Sequence, residues 1–180
     1  LALAGAVEKL AGVTVPVRAR LLRTVYGELE RLANHFNDLA FILLDTGFSF
    51  GGSHGSRLRE RVMQWNERLT GSRFLRGVVA YGGVTRDIDT MLIPQLHDDL
   101  ELLENDFMEV MAVVKESDSV MNRLKGTGTL DAKVAQDLGA VGIARRACGD
   151  EMDARADYPY AAYDMMQFGV MTEKSGDVYA

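Results

Sequence analysis

The sequence has very little cysteine: Cys148 is the only one among 180 residues. A single thiol cannot form an intrachain disulfide, and its isolation fits a reducing compartment. Sites for nickel–iron or iron–sulfur groups use several thiolates, usually arranged in C-x-x-C pairs. These residues therefore cannot build such a redox centre by themselves, and we expect them to bind no metal or other cofactor.

Long apolar runs and an excess of basic charge are missing as well. No apolar stretch approaches the roughly 18 to 20 residues that span a bilayer, so we expect no direct membrane span. The net charge is −6 at pH 7, which argues against nucleic acid as a partner. The string YGGVTRD lacks the spacing of a phosphate-binding loop, and the three histidines are too scattered to suggest a Ser-His-Asp site.

Apolar periodicity predicts the first half of the fold. Leucine, valine and phenylalanine recur at intervals of three and four, which predicts one long helix over Val17–Asp45. Pro16 stands just before its start, where a proline is tolerated. The next stretch, GFSFGGSHGS at residues 47–56, has the composition of a loop. A shorter helix is predicted over Arg57–Leu69, ending before Gly71.

The second half is also mostly helical by pattern. Phe74–Tyr81 is predicted as a short strand closed by two glycines. A second long helix is predicted over Ile93–Leu124, and a short one over Leu130–Leu138 with Asp131 in its first turn. The fold class that follows is all-α: a helix bundle with a minor β element, in which two long heptad-patterned helices pack antiparallel.

The chain opens inside a helical pattern without a cap and stops without a terminator. We therefore interpret residues 1–180 as a single partial domain, the central helical-bundle part of a larger fold. The apolar stripes of the two long helices need more packing partners than these two helices provide for each other. We accordingly expect exposed apolar surface, covered in the parent protein, near residues 1–10 and 158–179.

Asp45 is the candidate most directly tied to chemistry. A carboxylate at the end of a helix faces the negative end of the helix dipole, a cost of about 0.3–1 kcal/mol. The three preceding residues are apolar, so partial burial would add to that cost. This cost suggests a cationic or histidine partner, whereas the plainer alternative is an exposed aspartate bonded to N–H groups of the glycine-rich loop. We expect that loop to be mobile.

Four short strings stand in a distinctive order: ELERLANHF at residues 28–36, LTGSRF at 69–74, YGGV at 81–84 and DARADYPYAAYD at 153–164. With these strings the sequence resembles the large subunit of nickel–iron hydrogenases. The closer likeness is to the branch shared by membrane-bound energy-converting hydrogenases and the 49-kDa subunit of respiratory complex I. The resemblance covers nearly the whole chain.

This resemblance implies roles for particular residues. Asp45 matches an aspartate that, in complex I, pairs with a histidine of the quinone headgroup site, and that histidine would lie upstream of this chain. His35, which alone would be interpreted as a core histidine, would line the same site. Arg73 matches the arginine of the family's TG-x-R string near the terminal iron–sulfur cluster of a neighbouring subunit; the residues alone also allow a surface arginine that caps the preceding helix. Asp153 and Arg155 look like a structural ion pair. The other matched residues are Arg18, Arg23, Glu28, Arg31, Arg146, Gly149, Pro159, Tyr160 and Tyr163.

The implied function is that of a subunit of a membrane-attached redox complex, peripheral on the cytoplasmic side of the membrane. Its partners would be an iron–sulfur cluster subunit and the other subunits of the complex. The acceptor would be quinone, or protons at a nickel–iron centre. Leu75 and Ala80 stand where complex I usually has histidine and arginine, while Val84–Asp87 is more hydrogenase-like, so both possibilities stay open. A hypothesis from another class is a stand-alone helical protein-interaction module without catalysis.

Overall fold

The computed structural model describes residues 1–180, which divide into two compact units, Leu1–Val114 and Lys115–Ala180. The chain is mostly helical with one two-stranded hairpin. The first unit contains α1 (Ala2–Ala11), α2 (Val17–Asp45), α3 (Ser49–Thr70), β1 (Val79–Ala80), β2 (Gly83–Val84) and α4 (Leu92–Glu116), whose last two residues belong to the second unit. The second unit contains α5 (Asp118–Leu124), α6 (Ala132–Asp137), α7 (Gly142–Ala147), α8 (Ala154–Asp157) and a 3-10 turn (Tyr163–Met165).

The prediction for α2 is confirmed at both ends. The helix begins at Val17, directly after Pro16, and ends at Asp45. Its buried stripe includes Leu22, Leu29 and Phe36, which are part of the core of the first unit. The apolar stripe therefore faces the core, as the periodicity indicates.

The prediction of a loop over residues 47–56 is wrong. Helix α3 begins at Ser49, so its first turns contain Gly51, Gly52 and Gly55, all of them buried. The glycines are there because α3 folds back onto α2 at a separation that leaves no room for side chains. The expected mobile loop thus loses its basis, because the segment is packed helix.

The antiparallel pairing of the two long helices is also wrong. Arg57 in the first half of α3 pairs with Asp106 in the second half of α4, whereas Trp65 in the second half of α3 donates to Asp99 in the first half of α4 at 2.7 Å. Helix α3 is therefore antiparallel to α4, as it is to α2 through their short turn. The two long helices consequently run in the same direction, with α3 as the antiparallel neighbour of each.

Two further elements are shorter than predicted. Only Val79 and Ala80 of the expected strand pair with β2, because residues 74–78 form turns in which Leu75 has a φ of 54°. The second long helix stops at Glu116, since Ser117 has an extended backbone and is the N-cap residue of the next helix, α5. Asp131 lies directly before the helix and not in its first turn. It is the N-cap of α6, and its carboxylate accepts hydrogen bonds from two backbone N–H groups.

Apolar side chains are exposed in both regions where we expected them. Leu10 is 90% exposed in the first region and Met171 is 82% exposed in the second. Whether a larger parent covers them stays a prediction. None of the helices combines the length and the apolar character needed to cross a membrane.

Candidate functional site

The corner between α2 and α3 carries Asp45. The Thr46 hydroxyl donates to the Leu43 carbonyl at 2.9 Å, and the Phe48 N–H donates to the same carbonyl at 2.8 Å. Gly47 supplies the left-handed residue of the turn with a φ of 79°. The corner is thus a short hydrogen-bonded turn that fixes the end of α2.

Asp45 itself is exposed, so the expectation that its carboxylate is partly buried is wrong for residues 1–180. His35 is also exposed and lines an apolar groove beside α4. Ten residues separate them on one helix, which places them about 15 Å apart along its axis. The chain therefore does not bring the two candidates to one ligand headgroup, and their roles stay predictions.

Arg73 follows the end of α3 and turns back onto it. Its guanidinium contacts Glu60 at 2.5 Å and Glu67 at 3.7 Å, and the Glu60 hydrogen bond raises the Arg73 pKa above its usual value. The buried Asn66 holds the backbone by donating to the Arg73 carbonyl at 3.1 Å. The cation is therefore held on the surface of α3 by two carboxylates.

Asp153 and Arg155 form a close ion pair in the second unit. Asp153 is buried, caps α8 by accepting from the Arg155 N–H, and contacts the Arg155 Nη2 at 2.7 Å. Arg146 approaches the same carboxylate at 3.6 Å. The Arg155 hydrogen bond outweighs burial and lowers the pKa of Asp153 to about 2. The pair orders the segment that contains the DARADYPYAAYD string.

A buried ion pair that sequence reasoning missed lies under the hairpin. The Arg23 guanidinium donates to both carboxylate oxygens of Glu8, at 2.5 and 3.0 Å, and to the carbonyls of Ala80 and Gly83 at 2.7 and 3.0 Å. Glu8 also accepts from the Gly82 N–H at 2.7 Å. The hydrogen bond from Arg23 lowers the Glu8 pKa. The pair thereby joins α1, α2 and the YGGV hairpin.

Arg23 could be found from the sequence as a matched family position, but Glu8 could not. A glutamate in an amphipathic helix usually faces solvent. Glu8 is 5% exposed only because the hairpin, 74 positions further on, closes over it. No local pattern indicates a contact at that separation.

The donor set for a metal is absent from this chain. No three His, Cys, Asp or Glu side chains lie close enough together to hold a metal ion. Cys148 is buried, and its thiol donates to the Ala144 carbonyl at 3.1 Å. The residues present therefore do not fit a nickel–iron centre or an iron–sulfur cluster on their own.

Residues 45–180 match the family described as the respiratory-chain NADH dehydrogenase 49-kDa subunit. With that match over most of its length, the chain belongs to this 49-kDa subunit family. Subunit 4 of the NADH-quinone oxidoreductase of Thermus thermophilus is 38% identical over 179 residues, which is 99% of this chain and 44% of that protein. A second NADH-quinone oxidoreductase subunit, from Roseiflexus sp., is 36% identical over 179 residues, covering 99% of this chain and 48% of that protein.

A solved structure extends the comparison to the fold. A chain of the membrane-bound sulfane sulfur reductase, an archaeal respiratory membrane complex, superposes with a TM-score of 0.87 at 31% identity. The alignment covers 95% of this chain and 46% of that chain. The chain thus spans slightly less than half the length of the relatives it matches.

Proposed function

We propose that these 180 residues are the central part of the large, 49-kDa-type subunit of a membrane-associated redox complex. The subunit would dock beside the terminal iron–sulfur cluster of a neighbouring subunit and line the site where electrons reach their acceptor. The observation that carries this proposal is the likeness to NADH-quinone oxidoreductase subunits over 99% of the chain. In the full subunit, the two long helices would belong to a complete helix bundle peripheral on the cytoplasmic side of the membrane.

Quinone is the acceptor that the relatives' names favour. His35 and Asp45 lie about 15 Å apart along α2, so these two side chains would not contact the same part of a headgroup. Asp45 would act with a histidine from the rest of the parent protein. Such a carboxylate–histidine pair can hold and release a proton when a bound acceptor is reduced.

A second candidate is an acceptor other than quinone. The structural likeness to a sulfane sulfur reductase favours this interpretation. The nickel–iron hydrogenase alternative would need two C-x-x-C pairs from the remainder of the parent, since Cys148 is alone here. Whether the acceptor is quinone, sulfane sulfur or protons at a nickel–iron centre, Arg73 would lie near the iron–sulfur cluster that delivers the electrons.

Purification of the full-length parent from membranes with an affinity tag tests the proposal. We expect it to copurify with subunits that show the electron paramagnetic resonance signals of reduced iron–sulfur clusters. NADH-driven reduction of quinone would identify a complex I-like enzyme, whereas hydrogen evolution or sulfide release would identify the other acceptors. Recovery of the parent as a soluble protein without cluster-bearing partners would contradict the proposal and favour a stand-alone interaction module.

A further inference from the structure

The second turn of α3 carries His54, whose half-buried ring has two neighbours. The ring centroid lies 4.3 Å from that of Phe50, one turn earlier on the same helix. The Nδ1 atom of His54 lies 3.2 Å from the Nη2 atom of Arg57, one turn later. Because a guanidinium only donates hydrogen bonds, Nδ1 accepts here and carries no proton. The contact therefore requires the neutral ring, with its proton on Nε2.

The His54 ring belongs to a series of aromatic contacts that reaches the corner between α2 and α3. The ring of Phe50 meets that of Phe48 edge to face, with their centroids 5.9 Å apart. Phe48 is the N-cap residue of α3 and offers no side-chain hydrogen bond to the first turn. Its N–H donates to the Leu43 carbonyl and closes the corner. The first turn of α3 is thus held by packing contacts and not by a polar cap.

Arg57 is the only charged group in contact with the His54 ring. Its Nη1 atom contacts Asp106 of α4 at 3.1 Å, and Arg61 contacts the same carboxylate at 3.1 Å. The other acids at this end of α2 and α4 are exposed and form no ion pair with the ring: Asp38, Asp45 and Glu109. Loss of the contact between His54 and Arg57 would therefore leave the ion pairs between α3 and α4 in place.

We propose that His54 makes the first turn of α3 pH-sensitive: the neutral ring holds this turn, and the protonated ring releases it. Histidine changes its charge between pH 5 and pH 8. A proton on Nδ1 would remove the acceptor and place two cations 3.2 Å apart. The ring would then turn away from Arg57 and leave Phe50, and the uncapped turn would loosen. This inference is independent of the acceptor that the complex reduces.

Hydrogen–deuterium exchange of the full-length parent in its complex, from pH 5 to pH 8, tests the proposal. The readout is the protection of residues 48–56, corrected for the intrinsic pH dependence of amide exchange. This segment includes the Gly52 N–H, which donates to the Phe48 carbonyl at 3.1 Å. We expect protection to fall roughly fivefold from pH 8 to pH 5, the effect of one lost hydrogen bond. Protection of residues 58–66, later in the same helix, should not fall with it.

Two substitutions fix the charge at position 54. His54→Gln keeps an acceptor for Arg57 that takes up no proton, so protection should stay high at every pH. His54→Lys keeps a cation beside Arg57, so protection should be low at every pH. The matched control is His97→Gln, which removes an exposed histidine of α4 whose Nδ1 lies 3.6 Å from Glu101. The pH dependence of the parent should persist in this control.

Several results would overturn the proposal. One is protection of residues 48–56 in the parent that does not change with pH. Another is a His54→Gln variant that keeps the pH dependence, or a His97→Gln variant that loses it, because the titrating group would then lie elsewhere. High protection in the His54→Lys variant would show that a cation at this position does not release the turn.

Discussion

Gly55 of α3 lies against the backbone of Ala40 in α2. A methyl group on Gly55 would stand 2.9 Å from the Ala40 Cα and 3.0 Å from the Ala40 nitrogen. Contact with backbone leaves no flexible atom to move aside. The close crossing fixes the end of α2, and with it the position of Asp45, only a few residues beyond the contact.

Gly55→Ala should therefore destabilise the chain by about 1–3 kcal/mol, as overpacking of a tight contact does. The control is Gly27→Ala on α2, where the new methyl group would meet only the Leu1 side chain at 3.6 Å. That variant should be neutral or more stable by about 0.5–1 kcal/mol, because alanine favours helix over glycine. Urea unfolding measures both. Equal effects of the two substitutions would contradict the close crossing.

Glu8→Gln should remove the buried partner of Arg23 and cost about 3–5 kcal/mol of unfolding free energy. The loss is large because Arg23 would remain buried beneath the hairpin with only neutral acceptors. Asp87→Asn is the matched control, because Asp87 forms an equally direct ion pair with Arg18 at 2.7 Å but both side chains are more than half exposed. Its effect should be much smaller. Similar losses from the two substitutions would show that burial does not set the strength of the Glu8 pair.

The sequence predicts correctly the helix ends that are determined by residues within or next to the helix itself. Pro16 and an unbroken heptad stripe define α2, and both of its ends are as predicted. Asp131 stands where an N-cap belongs, and its carboxylate accepts from Lys133 and Val134. In these places local preference and tertiary packing agree.

The remainder depends on contacts between distant parts of the chain. The glycines of the α3 start suggest a loop by composition, yet they are required by the approach of Ala40. Glu8 has an ordinary position in α1 and becomes buried through a hairpin far along the chain. The site residues that the family resemblance implies would likewise need segments that these 180 residues do not contain.

Asp153→Asn should lower stability in a pH-dependent way. The Asp153 pKa is about 2 in the folded chain, below the ordinary value of 3.8, so the ionised carboxylate contributes stability above pH 3.8 that is lost as the pH falls towards 2. Above pH 4 the variant should be less stable by about 2 kcal/mol, and this difference should fall to about 0.4 kcal/mol near pH 2 and vanish at lower pH. The control is Asp137→Asn, an exposed residue at the end of α6. A difference independent of pH would refute the ion-pair explanation.

Arg73 and Glu60 should shift the potential of a nearby cluster in opposite directions. A cation beside a cluster raises its reduction potential, so Arg73→Met should lower it in the assembled complex. Glu60→Gln removes a carboxylate that contacts the guanidinium at 2.5 Å and should raise the potential. Redox titration of the cluster signal measures both. Shifts of the same sign, or none, would assign Arg73 to surface structure alone.

The most direct measurement of the central claim is turnover of the assembled complex with Asp45→Asn from pH 6 to pH 8. The control is Asp38→Asn, which removes an exposed carboxylate two turns earlier on α2. If Asp45 handles a proton with a histidine of the parent protein, its substitution should reduce turnover at least tenfold, about 1.4 kcal/mol in the barrier, with normal assembly. The control should leave turnover unchanged. An Asp45→Asn complex that assembles and turns over like the parent across this range would contradict the account.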